Sequence, residues 1–187
     1  MVRLLEKDDI LYRRFLDGDT ASYDALMLRY GDSLTVYMQA FLRDWHDAED
    51  MMIEAFARIM VKRPRIKEGA FKAYLFKTAR NLALRFLSGK RALIFSLDNL
   101  SFEPSANEIV EERLLGEEQK GVLHLCLDRI DSVLKEALWL IYFEEMSYAQ
   151  AAEIMKVNTK KIDHLLTRGK HKLRKELLKE GISHAYE

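Results

Sequence analysis

Three carboxylates between His46 and Glu54 are spaced so that a helix would present them on one side. Over a helix of residues 47–61, Asp47, Asp50 and Glu54 fall within about 60° of one another, opposite an apolar stripe. Such a trio could bind a metal or supply acid and base, but a helical carboxylate site takes ligands from several facing helices, and the sequence has no second ligand set. We therefore predict no metal, no cofactor and no catalytic residue. The remaining interpretations are a solvated face at a helix start and a docking surface for a basic partner.

Aromatic and cationic residues alternate from Phe71 to Asn81, a mixture suited to single-stranded nucleic acid. Bases stack on aromatic rings while Lys and Arg contact the phosphates. A stripe at helical spacing is assigned to the core: Phe71, Leu75, Ala79 and Leu82. The functional candidates are the basic loop 62–69 and four side chains expected to point outward, Lys72, Tyr74, Lys77 and Arg80.

A third candidate site is a helix-turn-helix between Ser147 and Leu177. Ser147 and Gln150 have the spacing of a capping box, and Asn158 can cap a second helix after the three-residue turn 156–158. One side of that helix is apolar: Ile162, Leu166, Leu173 and Leu177. The opposite side suits the DNA major groove, with Leu165 as an apolar tip for a thymine methyl, and is expected to hold Lys161, His164, Leu165, Arg168, His171, Lys172 and Lys175.

These sites lie in a chain of 187 residues with 49% hydrophobic residues but only 8 Gly and 2 Pro, which predicts an all-α fold with a substantial core. The net charge is zero, yet the charges are segregated. Residues 62–91 include ten basic residues and one acidic residue. Residues 156–180 include nine basic and three acidic residues, whereas residues 96–120 include two basic and seven acidic residues. Two cationic modules flank an acidic connector, which favours a polyanionic partner.

Helical periodicity predicts consecutive helices in the first half, the last of them running over about 70–87 and ending near Ser88 and Gly89. Pro104 and neighbouring polar residues mark a flexible acidic linker with a short helix near 109–115. We predict two small helical domains, at 8–91 and 121–181, joined by a linker at 92–120. A single cysteine, the lack of a leader-like N-terminus and the lack of any apolar stretch of about 20 residues predict a cytoplasmic protein without membrane insertion.

Taken in order, these residues resemble a known family. Residues 18–30, 47–56 and 71–81 are similar to the second conserved region of bacterial RNA polymerase sigma factors of the extracytoplasmic-function type, through Gly18, Asp19, Tyr23, Leu26, Tyr30, Asp47, Asp50, Glu54, Phe56, Phe71, Tyr74, Leu75, Ala79, Arg80 and Asn81. Residues 147–174 are similar to the fourth region of that family, its helix-turn-helix. The resemblance covers nearly the whole chain outside the linker and the tails.

The resemblance implies a non-enzymatic promoter-recognition subunit that acts with core RNA polymerase. It implies docking on the clamp coiled coil of the polymerase by Asp47, Glu49, Asp50 and Glu54. It also implies residues that melt the minus-ten element and capture an extruded base of the non-template strand. These residues are Lys62, Arg63, Arg65, Lys67, Lys72, Tyr74, Lys77, Arg80 and Asn81. Duplex DNA at minus thirty-five would be read by Lys160, Lys161, His164, Leu165, Arg168 and Lys172. An anti-sigma factor that clamps both domains is common in the family and is expected on that ground alone.

Two other functions stay open on the sequence. A free-standing helix-turn-helix transcriptional regulator would bind duplex operator without polymerase, and a helical carboxylate-metal enzyme would use Asp47, Asp50 and Glu54. One departure from the family pattern concerns the backbone: Lys156 stands where a turn glycine is usual, and a left-handed conformation there costs about 1 kcal/mol relative to Gly.

Overall fold

The computed structural model describes residues 6–42, 44–97 and 118–182, with side chains described for residues 6–42, 44–89 and 121–182. Over these residues the regular structure is helical and contains no strand, which confirms the all-α prediction. The chain divides into two compact units, residues 1–107 and 108–187, here called unit 1 and unit 2. Most of the predicted linker, including the short helix near 109–115, lies outside the described residues, and the domain boundaries stay predictions.

Unit 1 contains four described helices: α1 (Asp8–Leu16), α2 (Thr20–Leu42), α3 (Trp45–Lys62) and α4 (Phe71–Leu97). The long α2 packs against each of the other three. The core between them is rich in rings that are almost completely buried: Phe15, Tyr37, Phe56, Phe71 and Phe76. Burial of one such side chain contributes about 1.5–3 kcal/mol to folding. This aromatic core holds the surfaces of α3 and α4 in a fixed relation to α1.

Local chemistry sets the ends of α3, whereas α4 runs further than its sequence indicated. The Asp44 carboxylate accepts a hydrogen bond from the Asp47 backbone N–H (3.0 Å) and begins α3. Arg63 ends it in a left-handed conformation, with φ of 43°. The predicted end of α4 near Ser88 and Gly89 is wrong, because the helix continues to Leu97. A glycine inside a helix costs only about 1 kcal/mol relative to Ala, which is too little to stop a long helix.

Unit 2 contains α5 (Glu118–Asp128), α6 (Ser132–Leu138), a π-helical turn (Trp139–Phe143), α7 (Tyr148–Met155) and α8 (Thr159–Lys179). The predicted helix-turn-helix is confirmed in α7 and α8. Ser147 and Gln150 form the capping box, with bonds of 2.9 and 3.2 Å, and Asn158 caps α8 through the Lys161 N–H at 2.8 Å. Lys156 takes the left-handed conformation in the turn, with φ of 57°.

The apolar side of α8 packs as predicted. Ile162, Leu166, Leu173 and Leu177 are all buried, and α8 packs against α5, α6 and α7. One helix of the unit therefore has an inner side that fixes it in the core and an outer side that is available for binding. None of the helices in the described parts of the chain is sufficiently long and apolar to cross a membrane.

Candidate nucleic-acid and protein interfaces

The outward side of α3 presents the predicted carboxylates together. Asp50 is exposed, while Asp47 and Glu54 are half-buried. Glu54 accepts a hydrogen bond from Arg58 Nε at 2.7 Å, one turn further along the helix. Glu49 is not part of this group, because it lies about 100° or more around the helix from the other three and its carboxylate is 4.0 Å from His46 Nδ1. Within the described residues, no three His, Cys, Asp or Glu side chains are grouped as a metal ion would require.

An open groove runs beside these carboxylates, between α3 and α4, with a volume of about 530 Å³. Its apolar surface includes Ile53, which is 53% exposed, together with Leu82 and Phe86 from α4. Asp50, Glu54, Arg58 and Arg85 place charges along the same groove. The sequence contained one signal for it, the solvent-facing Ile53 within an acidic stretch, but the partners on α4 become visible only once the two helices pack.

The basic loop between α3 and α4 is held by α1. The Tyr12 hydroxyl donates a hydrogen bond to the Pro64 carbonyl oxygen (2.7 Å), and the Gly69 N–H donates to both Asp9 carboxylate oxygens (2.9 and 3.0 Å). The Arg63 guanidinium lies 5.0 Å from the centre of the Phe15 ring, a cation–π contact. Four cationic side chains of this segment are exposed: Lys62, Arg63, Arg65 and Lys67. The loop is thus fixed at its ends and presents positive charge between them.

A smaller pocket of about 150 Å³ lies between the end of α3, where the loop begins, and α4. Lys62, Tyr74 and Asn81 line it, together with Thr78 and Arg85. Three of the predicted minus-ten residues therefore lie together and supply a cation, a ring and an amide. Lys77 and Arg80 lie on α4 as half-buried side chains and are not among the residues that line this pocket. Arg85 and Thr78 were not predicted, although their positions on α4 place them on the same side as Asn81.

Lys72, which was predicted to point outward, is half-buried beside two aromatic rings. Its ammonium lies 5.7 Å from the centre of the Tyr30 ring and 5.9 Å from that of Phe76. Lys72 is about 100° around α4 from Phe71 and about 40° from Phe76, so it begins within the buried arc of the helix. Its aliphatic stem follows the core surface and its charge lies over aromatic faces. Lys72 is therefore better described as part of the α2–α4 packing than as part of the loop surface.

The outward side of α8 carries the predicted cations, with one correction. Lys160, Lys161, His164, Arg168 and Lys172 are exposed. Leu165 is only 3% exposed, so the prediction that it forms an apolar tip for a thymine methyl is wrong. It lies about 60° from Ile162, at the edge of an apolar arc of about 120° that packs against the rest of unit 2. His171 and Lys175 extend the exposed side toward the helix end.

One acidic residue competes for a cation of this surface. Lys172 Nζ lies 2.5 Å from Asp131 Oδ2, at the start of α6. This hydrogen bond and the Lys172 charge, with a further contribution from Arg168, hold the pKa of Asp131 below its usual range. Asp131 thus partly neutralises the positive charge on the outward side of α8.

Comparison with known proteins agrees with this arrangement. The family models for sigma-70 region 2 and sigma-70 region 4 match residues 26–92 and 120–173. The ECF RNA polymerase sigma factor SigM of Bacillus subtilis is 25% identical over 160 residues, which cover 86% of this chain and 97% of that protein. The RNA polymerase sigma-H factor of Pseudomonas aeruginosa is 28% identical over 160 residues, or 80% of this chain and 83% of its own.

A solved structure has the same fold. The sigma factor RpoE of Bartonella quintana, in complex with the anti-sigma factor NepR, superposes with a TM-score of 0.68 at 20% identity, covering 83% of this chain and 96% of that one. Together with the two family matches, the helix-turn-helix and the basic and acidic surfaces define a sigma-70-type transcription initiation factor, which binds core RNA polymerase and promoter DNA. The chain belongs to the extracytoplasmic-function group of sigma factors. Its function is to direct promoter-specific initiation of transcription.

Proposed function

We propose that the two units divide promoter recognition between them. Unit 1 docks on core polymerase through Asp47, Asp50 and Glu54 and opens the minus-ten element with the loop 62–69 and α4. Unit 2 places α8 in the major groove at minus thirty-five. The chain performs no catalysis itself, since RNA synthesis belongs to the polymerase, and it acts in the cytoplasm, where the polymerase is found. The domains that carry these roles are residues 8–91 and 121–181, joined by the acidic linker 92–120.

The observation that carries the minus-ten assignment is the pocket lined by Lys62, Tyr74 and Asn81. A ring can stack on an unpaired base, an amide can hydrogen-bond its edge, and a cation can contact the phosphate beside it. Arg65 and Lys67 extend the positive charge along the adjoining loop. Tyr74 is 37% exposed, so its ring is accessible from solvent in the free protein.

The polymerase assignment is supported by the groove beside α3. Carboxylates at Asp50 and Glu54 border an apolar floor that includes Ile53 and Phe86. A basic amphipathic helix of the partner fits such a groove, because its apolar side chains can be buried while its cations meet the carboxylates. The same groove is the surface for which an inhibitory anti-sigma partner would compete. The solved RpoE–NepR complex is the relative that suggests such a partner.

Reconstitution with core polymerase tests the division of roles. The double variant Arg65→Ala/Lys67→Ala is expected to leave core binding intact and to lower the fraction of opened promoter, measured by permanganate reactivity of unpaired thymines. The double variant Arg168→Ala/Lys172→Ala is expected to weaken holoenzyme binding to duplex DNA that contains only the upstream element, with the salt slope falling by about one unit per lost phosphate contact. Both variants remove two positive charges, so each is the control for the other. Equal effects of the two variants on both measurements would contradict the proposal.

A further inference from the structure

We propose that α1 is a positioning element for promoter opening, in which Asp9 and Tyr12 hold the loop 62–69 in the shape that engages the melted strand. This inference rests on the proposed role of that loop. The match to sigma-70 region 2 begins at residue 26, so α1 lies outside the matched segment. Neither Asp9 nor Tyr12 belongs to the surface that faces DNA in the proposed function. Their effect on the loop is therefore indirect.

The two contacts fix opposite ends of the loop. Tyr12 holds the Pro64 carbonyl oxygen (2.7 Å), just after α3 ends, and Asp9 holds the Gly69 N–H with both carboxylate oxygens (2.9 and 3.0 Å), just before α4 begins. Charge-assisted bonds such as the second are stronger than neutral ones. Gly69 has φ of 73°, a left-handed conformation that glycine adopts without steric cost. Four residues, from Arg65 to Glu68, remain between the held ends.

The base of this support is buried and hydrogen-bonded. The Tyr12 ring is buried and lies 5.2 Å, centre to centre, from Phe71 at the start of α4. The neighbouring Asp8 carboxylate accepts a hydrogen bond from the Tyr30 hydroxyl and pairs with Arg29, both on α2. Consecutive carboxylates thus connect α1 in two directions, Asp8 to the core helix and Asp9 to the loop. Movement of the loop ends requires these bonds to break.

A fixed loop binds a strand more tightly than a mobile one, because less conformational freedom is lost when the strand is captured. Four substitutions in full-length protein test the proposal: Asp9→Ala, Asp9→Asn, Tyr12→Phe and, as a control, Tyr23→Phe. The Asn amide oxygen can still accept the Gly69 N–H bond, so Asp9→Asn should restore most of the function that Asp9→Ala removes. Tyr23 donates to the Phe56 carbonyl oxygen (2.5 Å), so Tyr23→Phe deletes a buried bond of the same kind away from the loop.

The measurement is the fraction of promoter opened by saturating holoenzyme, read from permanganate reactivity. We expect about three- to tenfold less opening for Asp9→Ala and for Tyr12→Phe, in line with the loss of one net hydrogen bond each, and a value within about twofold of the wild type for Asp9→Asn and for Tyr23→Phe. Binding to core polymerase and to upstream duplex should not change. Equal loss in Tyr23→Phe and Tyr12→Phe would assign the effect to general destabilisation and overturn the proposal.

The comparison with Arg65→Ala/Lys67→Ala separates this inference from the function on which it rests. If that loop variant lowers opening while Asp9→Ala and Tyr12→Phe do not, the loop acts on the promoter but α1 does not position it, and the inference is overturned alone. If the loop variant has no effect on opening, the proposed minus-ten role of the loop is overturned, and the inference with it.

Discussion

Gly169 of α8 lies directly against Leu138 of α6: a Cβ atom at position 169 would be 3.1 Å from both Cδ1 and Cγ of Leu138. The carbonyl oxygen of Leu134 would be 3.5 Å away. The two helices therefore approach so closely at this point that a methyl group at position 169 would require the Leu138 side chain to shift by a few tenths of an ångström. This approach fixes the rotation of α8, with its apolar arc inward and its cations outward.

We expect Gly169→Ala to destabilise unit 2 by about 1 kcal/mol. Overpacking against the buried Leu138 costs about 1–3 kcal/mol, and the better helix propensity of Ala offsets about 1 kcal/mol of that. The control is Gly121→Ala on α5, where no atom lies within 4 Å of the added carbon and a gain of about 0.5–1 kcal/mol is expected. Denaturation followed by 19F NMR of 5-fluorotryptophan reports unit 2 through Trp139 and unit 1 through Trp45. A stabilised Gly169→Ala variant would show that the helices can separate without cost.

Asp50→Lys is expected to weaken binding to core polymerase by about tenfold, because a carboxylate that faces a basic partner becomes a like charge. Asp50 is the better site for this reversal than Asp47. Asp47 lies in the first turn of α3, where loss of an acid also costs about 0.3–1 kcal/mol of helix stability. Asp24→Lys, an equally large charge change at an exposed position of α2, is the control. Affinities measured by fluorescence anisotropy should differ between the two variants; identical values would exclude α3 from the interface.

Removal of the Asp131 charge should strengthen DNA binding. Asp131→Asn releases Lys172 from an exposed ion pair, which is worth about 0.2–1 kcal/mol, so holoenzyme affinity for upstream duplex should rise about 1.4- to fivefold. The salt slope should steepen by about one unit as Lys172 becomes available to a phosphate. Asp128→Asn is the matched control, because Asp128 pairs with Lys135 rather than with a residue of α8. An equal rise in DNA affinity in both variants would indicate a general effect of charge and would contradict a specific role of the Asp131–Lys172 pair.

The stability of unit 1 should depend on Tyr12 at alkaline pH. Burial, the largest cause, and the neighbouring Tyr74 raise the pKa of Tyr12 to about 12, against a smaller opposing effect of Arg63. Because this pKa is higher in the folded than in the unfolded chain, the contribution of Tyr12 to the free energy of unfolding is complete below about pH 10. That contribution is lost as the pH rises toward 12. Tyr12→Phe lacks this titration. The free energy of unfolding of Tyr12→Phe should therefore fall furthest below that of the wild type near pH 8, and the difference should shrink by pH 11.5. Unfolding is followed through the signal of Trp45. A constant deficit would contradict the assignment.

Short-range chemistry made the helix-turn-helix predictable. Ser147 with Gln150, and Asn158 with the N–H of Lys161, are contacts between residues three apart, so their spacing is readable in the sequence. Leu165 shows the limit of this approach. A residue at the edge of an apolar arc is buried or exposed according to how far neighbouring helices wrap around it, and periodicity does not contain that information.

The support of the basic loop was not predictable for a related reason. Asp9 and Gly69 are sixty residues apart, and their contact is made by a backbone N–H that has no residue-specific signature. The contacts of Lys72 with the Tyr30 and Phe76 rings were not predictable, because alternation of aromatic and cationic residues is compatible with two arrangements. The same pattern describes cations beside rings on a binding surface and a cation folded over rings at the edge of a core.

Both supports of the loop end on main-chain atoms, the Pro64 oxygen and the Gly69 nitrogen. Side chains at 65–68 can therefore be exchanged in evolution without loss of the scaffold that displays them. A lineage can drift toward new target sequences by point substitution in this short window, while the architecture that presents it is inherited unchanged.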